Sequence, residues 1–250
     1  MESHGPHGPG SEWKPCLSAW HKTLLVVACV YPTIFTWIYF VELDGLEPST
    51  RQGVTLLGKA LQFVVIPALL YGSIARREFG KPRFDRATIV EGVLTGLAIS
   101  APIVVLALGW LAPTGFFEDA IPEMRKKLSE FAVDAPERFF ALGLFYALAH
   151  SGMEEWYWRW LVDRHLRDQL GPRSGPLVSS LGFAAHHVVV IGVYLGFANP
   201  WTYVASAGVG VGGWIWSWSD HRNGTIAAAW IAHALVDAAL FVIGWKLLGF

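Results

Sequence analysis

Glutamate, histidine and aspartate recur at one-turn spacing in the C-terminal half of this sequence, inside segments that are otherwise apolar. Glu154 and Glu155 close one apolar run, with Arg159 just beyond. His186 and His187 interrupt a second run, and His233 and Asp237 a third. Residues i and i+4 share a helix face. Glu155 with Arg159, Phe183 with His187, His233 with Asp237, and His150 with Glu154 are therefore four same-face pairs. An ionisable side chain at membrane depth costs about 2.5–3.5 kcal/mol on insertion scales, which makes each of these a functional-site candidate. In lipid such stripes must turn inward toward one another. Three chemistries suit the converging set. A carboxylate taken out of water is a stronger proton acceptor, which suits a general base. Glu154, His187 and His233 would also make three ligands with an open fourth position, as catalytic zinc prefers. The same groups would serve a carrier of protons or metal.

Positioning these side chains falls to membrane-spanning helices. The chain has 250 residues, 53% of them hydrophobic and only 16% charged, where a soluble domain carries about 25% charged residues. A net charge of −1 gives no reason to expect a nucleic-acid partner. Crossing a bilayer takes about 20 mostly apolar residues. Such runs occur at 23–41, 53–75, 93–111 and 139–153, and again at 223–245. The stretch 174–219 holds no Asp, Glu, Lys or Arg and is long enough for two crossings, with Asn199-Pro200 as the turn between them. The expectation is an all-α polytopic transmembrane bundle of about seven spans (six to eight), with the site among the last three or four helices. Residues 1–22 read as a disordered polar tail without the apolar core of a secretory signal. Within it His4 and His7 read as solvated, and Cys16, with Cys29, is too little for a disulfide framework. Residues 23–250 form one transmembrane domain, with 139–245 as its catalytic core and 112–138 as an extramembrane amphipathic segment. Lys59 and Glu91, the charges of the first three spans, are read as lying near span ends, Lys59 with its head snorkelling to the interface.

Three motifs now stand in order: Glu154-Glu155-x-x-x-Arg159, Phe183-x-x-x-His187 and His233-x-x-x-Asp237. The series resembles that of the CPBP family of intramembrane endopeptidases, which includes the type II CAAX prenyl proteases and the bacteriocin-processing (Abi) proteins. The resemblance covers roughly 139–245. It implies that Glu154 and His187 hold and deprotonate a water, while His233 and Asp237 support the tetrahedral intermediate. The family more often has Asn where this chain has Asp237. An ionised Asp cannot donate a hydrogen bond, so Asp237 is expected to orient or charge His233. Glu155, Arg159 and Phe183 are read as structural support, and His150 and His186 as standing behind the reacting groups or packing beside them. Within the family both metal-free and metal-dependent mechanisms have been argued. No cofactor is the favoured reading here; the alternative is zinc or another divalent metal on Glu154, His187 and His233. The soluble H-E-x-x-H signature is missing.

The function expected is peptide-bond hydrolysis in a membrane-bound or lipid-modified peptide, with the bilayer and that peptide as partners. CAAX-prenyl-like tails, bacteriocin leaders and sorting tails all fit the same residues. Two alternatives remain: a non-enzymatic carrier of protons or metal, and a pseudoprotease acting as scaffold or immunity protein. Carriers often show internal repeats, and none is visible. With the N-terminus cytoplasmic, the inner connections hold most of the Lys and Arg, and a bacterial inner membrane is the expected location. Gly208-x-Gly210-x-x-Gly213 matches a dinucleotide pattern, but without a preceding strand it reads as close helix packing. Trp156, Trp158, Trp160, Trp214, Trp216 and Trp218 read as interfacial belts, with a lipid-facing entrance for a greasy substrate as the alternative.

Overall fold

The first helix begins earlier than its composition implies. Ser18 Oγ accepts the His21 backbone N–H at 3.4 Å, and α1 spans Ala19–Glu42, so residues 19–22, expected in the tail, are helical. The computed structural model describes residues 18–73 and 81–250; His4, His7 and Cys16 lie outside them. α2 (Ser49–Tyr71) and α3 (Arg86–Thr114) follow. Asp85 caps α3 by accepting the Thr88 N–H at 2.9 Å. α4 is the short Ala120–Glu130, within the segment expected to be amphipathic. α5 is a continuous helical run over 136–170, opened by Pro136, and α6 is Ser174–Leu195. α7, Pro200–Asn223, starts where Asn199 Oδ1 accepts the Trp201 N–H at 3.0 Å. α8 is Ala227–Leu248. No strand occurs among the described residues. The chain is an all-α polytopic bundle.

Five of these helices, α1, α2, α3, α6 and α8, are long and apolar enough to cross a membrane. α5 and α7, also read as spans, fall short of that measure. Glu, Arg and Asp crowd the second half of α5, while Gly, Ser and Trp dilute the apolar residues of α7. α5 runs through the centre, touching α1, α6, α7 and α8, while α3 lies along α8 and α1 along α6. The main core joins Leu24 and Ala28 of α1, Ile66 and Leu70 of α2, and Tyr157, Trp158 and Leu161 of α5. Phe183 of α6, Trp216 of α7 and Ala232 of α8 complete it. The Tyr157 hydroxyl donates to Ala28 O at 2.7 Å, so even the apolar centre has its polar group satisfied.

Charged clamps close both ends. At one end α4 bridges the α1–α2 turn and the C-terminus. Lys126 and Lys127 Nζ each stand 2.9 Å from the Asp44 carboxylate, Arg51 Nη1 is 2.8 Å from Glu130 Oε1, and Arg125 Nη2 donates to Leu248 O at 2.6 Å. At the other end Arg164 holds Asp220 through two nitrogens, at 2.6 and 3.1 Å, and Arg167 pairs with Asp163. Glu91 binds Arg222, Ser219 and Asn223, so a charge read as lying near a span end is a helix-to-helix tie.

Candidate active site

Glu154 and Glu155 sit in a short α-helical stretch, Ser151–Glu155, between two π-helical stretches, Tyr146–His150 and Trp156–Asp163. Bonding i→i+5 widens the helix and re-phases its faces, and such segments are frequent at functional sites. The result is that both carboxylates are buried, as is Arg159. His186 and His187 come from the middle of α6, and His233 and Asp237 from the first half of α8.

Glu154 is surrounded by imidazoles. Its Oε1 is 3.5 Å from His186 Nε2, and its Oε2 is 3.8 Å from His233 Nε2 and 3.9 Å from His150 Nδ1. At these separations the carboxylate is in no tight hydrogen bond with any of the three, yet both oxygens face ring nitrogens. His187 Nδ1 is 2.9 Å from Phe183 O, which fixes the ring and leaves Nε2 free. His233 Nδ1 is 2.8 Å from Glu155 Oε1. The other oxygen of that carboxylate, Oε2, is 3.1 Å from Arg159 Nε. Asp237 Oδ1 lies 3.6 Å from His233 Nε2, so Glu154 and Asp237 face the same ring nitrogen.

Aromatic rings wall the site. Trp216 stacks on His233 at 4.4 Å and Trp158 on His186 at 5.8 Å. Phe183 lies against His187 at 4.7 Å. The Arg159 guanidinium carbon stands 4.6 Å from the Phe183 centroid and 5.4 Å from that of Trp216, within cation–π range. Gly213 makes this possible: a Cβ there would meet Phe183 Cδ1 at 3.1 Å and Arg159 Nη2 at 3.3 Å.

All nine residues singled out in the sequence gather in this region, with adjustments of place. His186, read as packing or support, brings a ring nitrogen to Glu154. Glu155, read as the partner of Arg159, also makes the hydrogen bond that orients His233, a task expected of Asp237. Trp158, Trp160 and Trp216, read as interfacial, are buried, while Trp214 and Trp218 do face outward. The sequence signal for this division lies in the polar neighbours of Trp158 and Trp216, which share the faces turned toward the histidines.

The donor group that the fold compacts most for a metal is Glu154, His186 and His187, whose ligand atoms lie within 4.8 Å of one another. It differs from the expected trio by exchanging His233, whose Nδ1 is engaged by Glu155, for His186. Zinc takes nitrogen and oxygen ligands at about 2.0–2.2 Å, and metal-bound histidines generally bond through their second nitrogen to an acceptor, as His187 does here. In residue type, two imidazoles and a carboxylate, the set is one that could hold a divalent metal.

Residues 136–239 match the family model described as type II CAAX prenyl endopeptidase, Rce1-like. No curated protein and no solved structure matches the chain.

Proposed function

From the match of residues 136–239 to the Rce1-like type II CAAX prenyl endopeptidase family model, we propose that the chain is a protease of that family and hydrolyses a peptide bond in a membrane-bound or lipid-modified substrate. The observation that carries the reading is Glu154, a buried carboxylate facing three histidine rings with none of them bound tightly to it. In the proposed reaction Glu154 takes a proton from a water molecule that His187 helps to hold. The water oxygen adds to the scissile carbonyl carbon, and the carbonyl π electrons move to its oxygen. His233, steered by Glu155, stabilises the negative charge that develops there, with Asp237 beside the same ring. The C–N bond then breaks, and the departing amine takes the proton held by Glu154. Water has supplied the hydroxyl of the new acid and one hydrogen of the new amine. In a bacterial inner membrane with the N-terminus cytoplasmic, His233 lies about 9 Å in from the cytoplasmic start of α8, which suits a substrate anchored at that face.

The test compares membrane-protein N- and C-termini in host cells carrying wild type or Glu154→Gln at matched expression. Loss of a general base typically costs about 10²–10⁴ in rate, so discrete new termini should vanish in the variant. Coincident profiles with both proteins folded and native partners present would overturn the reading.

The compact Glu154–His186–His187 group favours a second form of the same reaction. These residues would hold a divalent metal, which supplies Lewis-acid polarisation and an acidified water when bound. Elemental analysis of purified wild type and His186→Ala separates the two forms: a stoichiometric metal lost in the variant supports the metal form, and cleavage that survives complete metal removal supports the other.

A further inference from the structure

The proposed reaction accounts for few of the charges inside the bundle. Lys59 stands midway along α2 (Ser49–Tyr71), not near its end. A larger set forms a polar seam that leads away from the site. Glu155, Arg159, Asp163 and Arg167 follow one another at i and i+4 along α5, with alternating charge. Glu155 and Arg159 face each other at 3.1 Å, and Arg167 pairs with Asp163. The seam starts at His233, which Glu155 orients, and ends where Arg164 and Arg167 meet Asp220. The Arg164 side chain is 23% exposed, so that end reaches the surface.

Between these ends lie polar atoms with no hydrogen-bond partner among the described residues: Arg159 Nη1 and Nη2, Ser180 Oγ of α6, Ser217 Oγ of α7 and Asp163 Oδ1. All four residues are buried. Other buried serines of the bundle donate to the carbonyl four residues back, as Ser100, Ser151 and Ser206 do at 2.6–2.7 Å. Ser180 and Ser217 do not. A Cβ on Gly213 would lie 3.3 Å from Arg159 Nη2 and 3.5 Å from Ser180 Oγ, so both groups lie against the same bare stretch of α7. One turn further on, Ser217 O accepts from Arg167 Nη2 at 3.0 Å, which brings Ser217 to the level of Asp163. A buried polar group left unpaired is costly, and internal water ordinarily meets such groups. The charges of the seam already cancel, three arginines against Glu155, Asp163 and Asp220. An ion would unbalance them, and the unpaired atoms include both donors and acceptors, which suits water.

We propose that a file of internal water molecules fills this seam from the Arg164–Asp220 end to Arg159, and that it delivers the water the reaction consumes. Phe183 lies 4.6 Å from the Arg159 guanidinium carbon and 4.7 Å from the His187 ring, so the file stops one ring short of His187. The groove that opens on the turn of Glu154 is a poor route for water. Ala149, Gly152, Met153, Trp156 and Trp230 line it, and Trp230 Nε1 is already bound to Leu148 O at 2.9 Å. The delivery rests on the protease reading above; the hydrated seam does not.

The experiment is hydroxyl-radical footprinting by X-ray radiolysis of the full chain in lipid nanodiscs, where radicals born from bound water oxidise the side chains beside it. Phe183 borders the seam, while Phe35 and Phe139 pack among other aromatic rings and serve as references. Phe183 is the most deeply buried of the three, at 0% exposed against 6% and 5%, yet it should be oxidised several times faster. Ser217→Val and Ser180→Val each put an apolar group into the seam and leave the histidines in place, and each should bring Phe183 down to the references. Wild-type Phe183 oxidised no faster than the references, or oxidation that survives these substitutions, overturns the hydrated seam. Should one variant not fold, the other decides. Turnover of a membrane-anchored peptide is scored on the same proteins. It depends on the fraction of molecules that hold a water in place, so kcat should fall about tenfold in the variants with KM unchanged. An unchanged kcat beside lost oxidation shows water arriving by another route and overturns the delivery. Rapid oxidation of Phe183 in a wild-type protein that cleaves nothing sinks the protease reading and leaves the hydrated seam standing.

Discussion

One oxygen of Glu155 faces Arg159 and the other faces His233, at 3.1 and 2.8 Å, so a single carboxylate holds a fully buried guanidinium and orients an imidazole of the candidate site. Removing it alone leaves Arg159 among Phe183 and Trp216 with cation–π contacts but no counter-charge. Breaking a buried pair from one side typically costs about 3–5 kcal/mol, and Glu155→Ala should lose that much stability in thermal unfolding of the detergent-solubilised protein. Replacing both partners by apolar groups of similar volume, as in Glu155→Leu with Arg159→Met, should recover most of the loss while cleavage stays absent, because His233 has lost its anchor. A double variant no more stable than Glu155→Ala would show that the pair is not what the single change breaks. The Glu155–Arg159 half of this arrangement was legible in the sequence, since i and i+4 share a face. The Glu155–His233 half was not: spacing along one helix says which residues share a stripe, but not which atom of a neighbouring helix meets it. The same blindness hid the approach of His186 to Glu154, and it sent Trp158 and Trp216 to the membrane interface.

Among the elements, α3 fixes where α8 can stand. Thr88, Gly92, Gly96 and Ser100 are its buried face, a small residue at every turn of the kind that lets membrane helices approach closely. A Cβ on Gly92 would lie 2.7 Å from Ala228 O and from Ile231 Cβ, and one on Gly96 would lie 2.9 Å from Leu235 Cβ and 3.0 Å from Ala232 Cα. These contacts flank His233 on either side. Gly92→Ile must therefore push α8 outward and take His233 away from Glu155. It should destabilise by about 1–3 kcal/mol, the usual range of overpacking, with a larger proportional loss of cleavage. Gly109, on the same helix, has nothing within 4 Å of its would-be Cβ, and Gly109→Ala should change stability by less than about 1 kcal/mol. Both are read by thermal unfolding and by turnover of one substrate; equal effects from the two would refute the packing argument. The apolar runs 93–111 and 223–245 located α3 and α8, though α3 begins seven residues earlier than its run, because burial in lipid needs length and little else. The π-helical stretches on either side of 151–155 left no such trace, since they depend on which side chains α5 must present to several partners at once.

For the molecule as a whole, the two helices that precede α3 are tied to the C-terminal half partly by the Asp44 cluster, since Asp44 belongs to the α1–α2 turn while Lys126 and Lys127 belong to α4, which in turn grips Leu248 of α8. The sequence marked 112–138 as amphipathic and extramembrane but could not say that its basic face would close on residue 44, because that pairing spans some eighty residues and depends on the finished bundle. Hydrogen bonds from Lys126 and then Lys127 hold the Asp44 carboxyl at about 2, below its usual 3.8. A carboxyl whose pKa is lower in the folded chain than in the unfolded one contributes stability in full above the unfolded value, and loses it as pH falls toward the folded value. The contribution of Asp44 should thus be intact above about pH 4 and fade between there and about pH 2. Asp44 is more than a third exposed, so solvent screening limits the effect to about 0.2–1 kcal/mol, and added salt should reduce it further. Unfolding temperature measured against pH for wild type and Asp44→Asn isolates this from the other carboxylates, which titrate in both. The variant should be less stable above pH 4 and the two curves should converge toward pH 2. Curves that stay parallel across that window would mean the lysines hold α4 without Asp44, and that α2 is kept beside the site by its apolar packing alone.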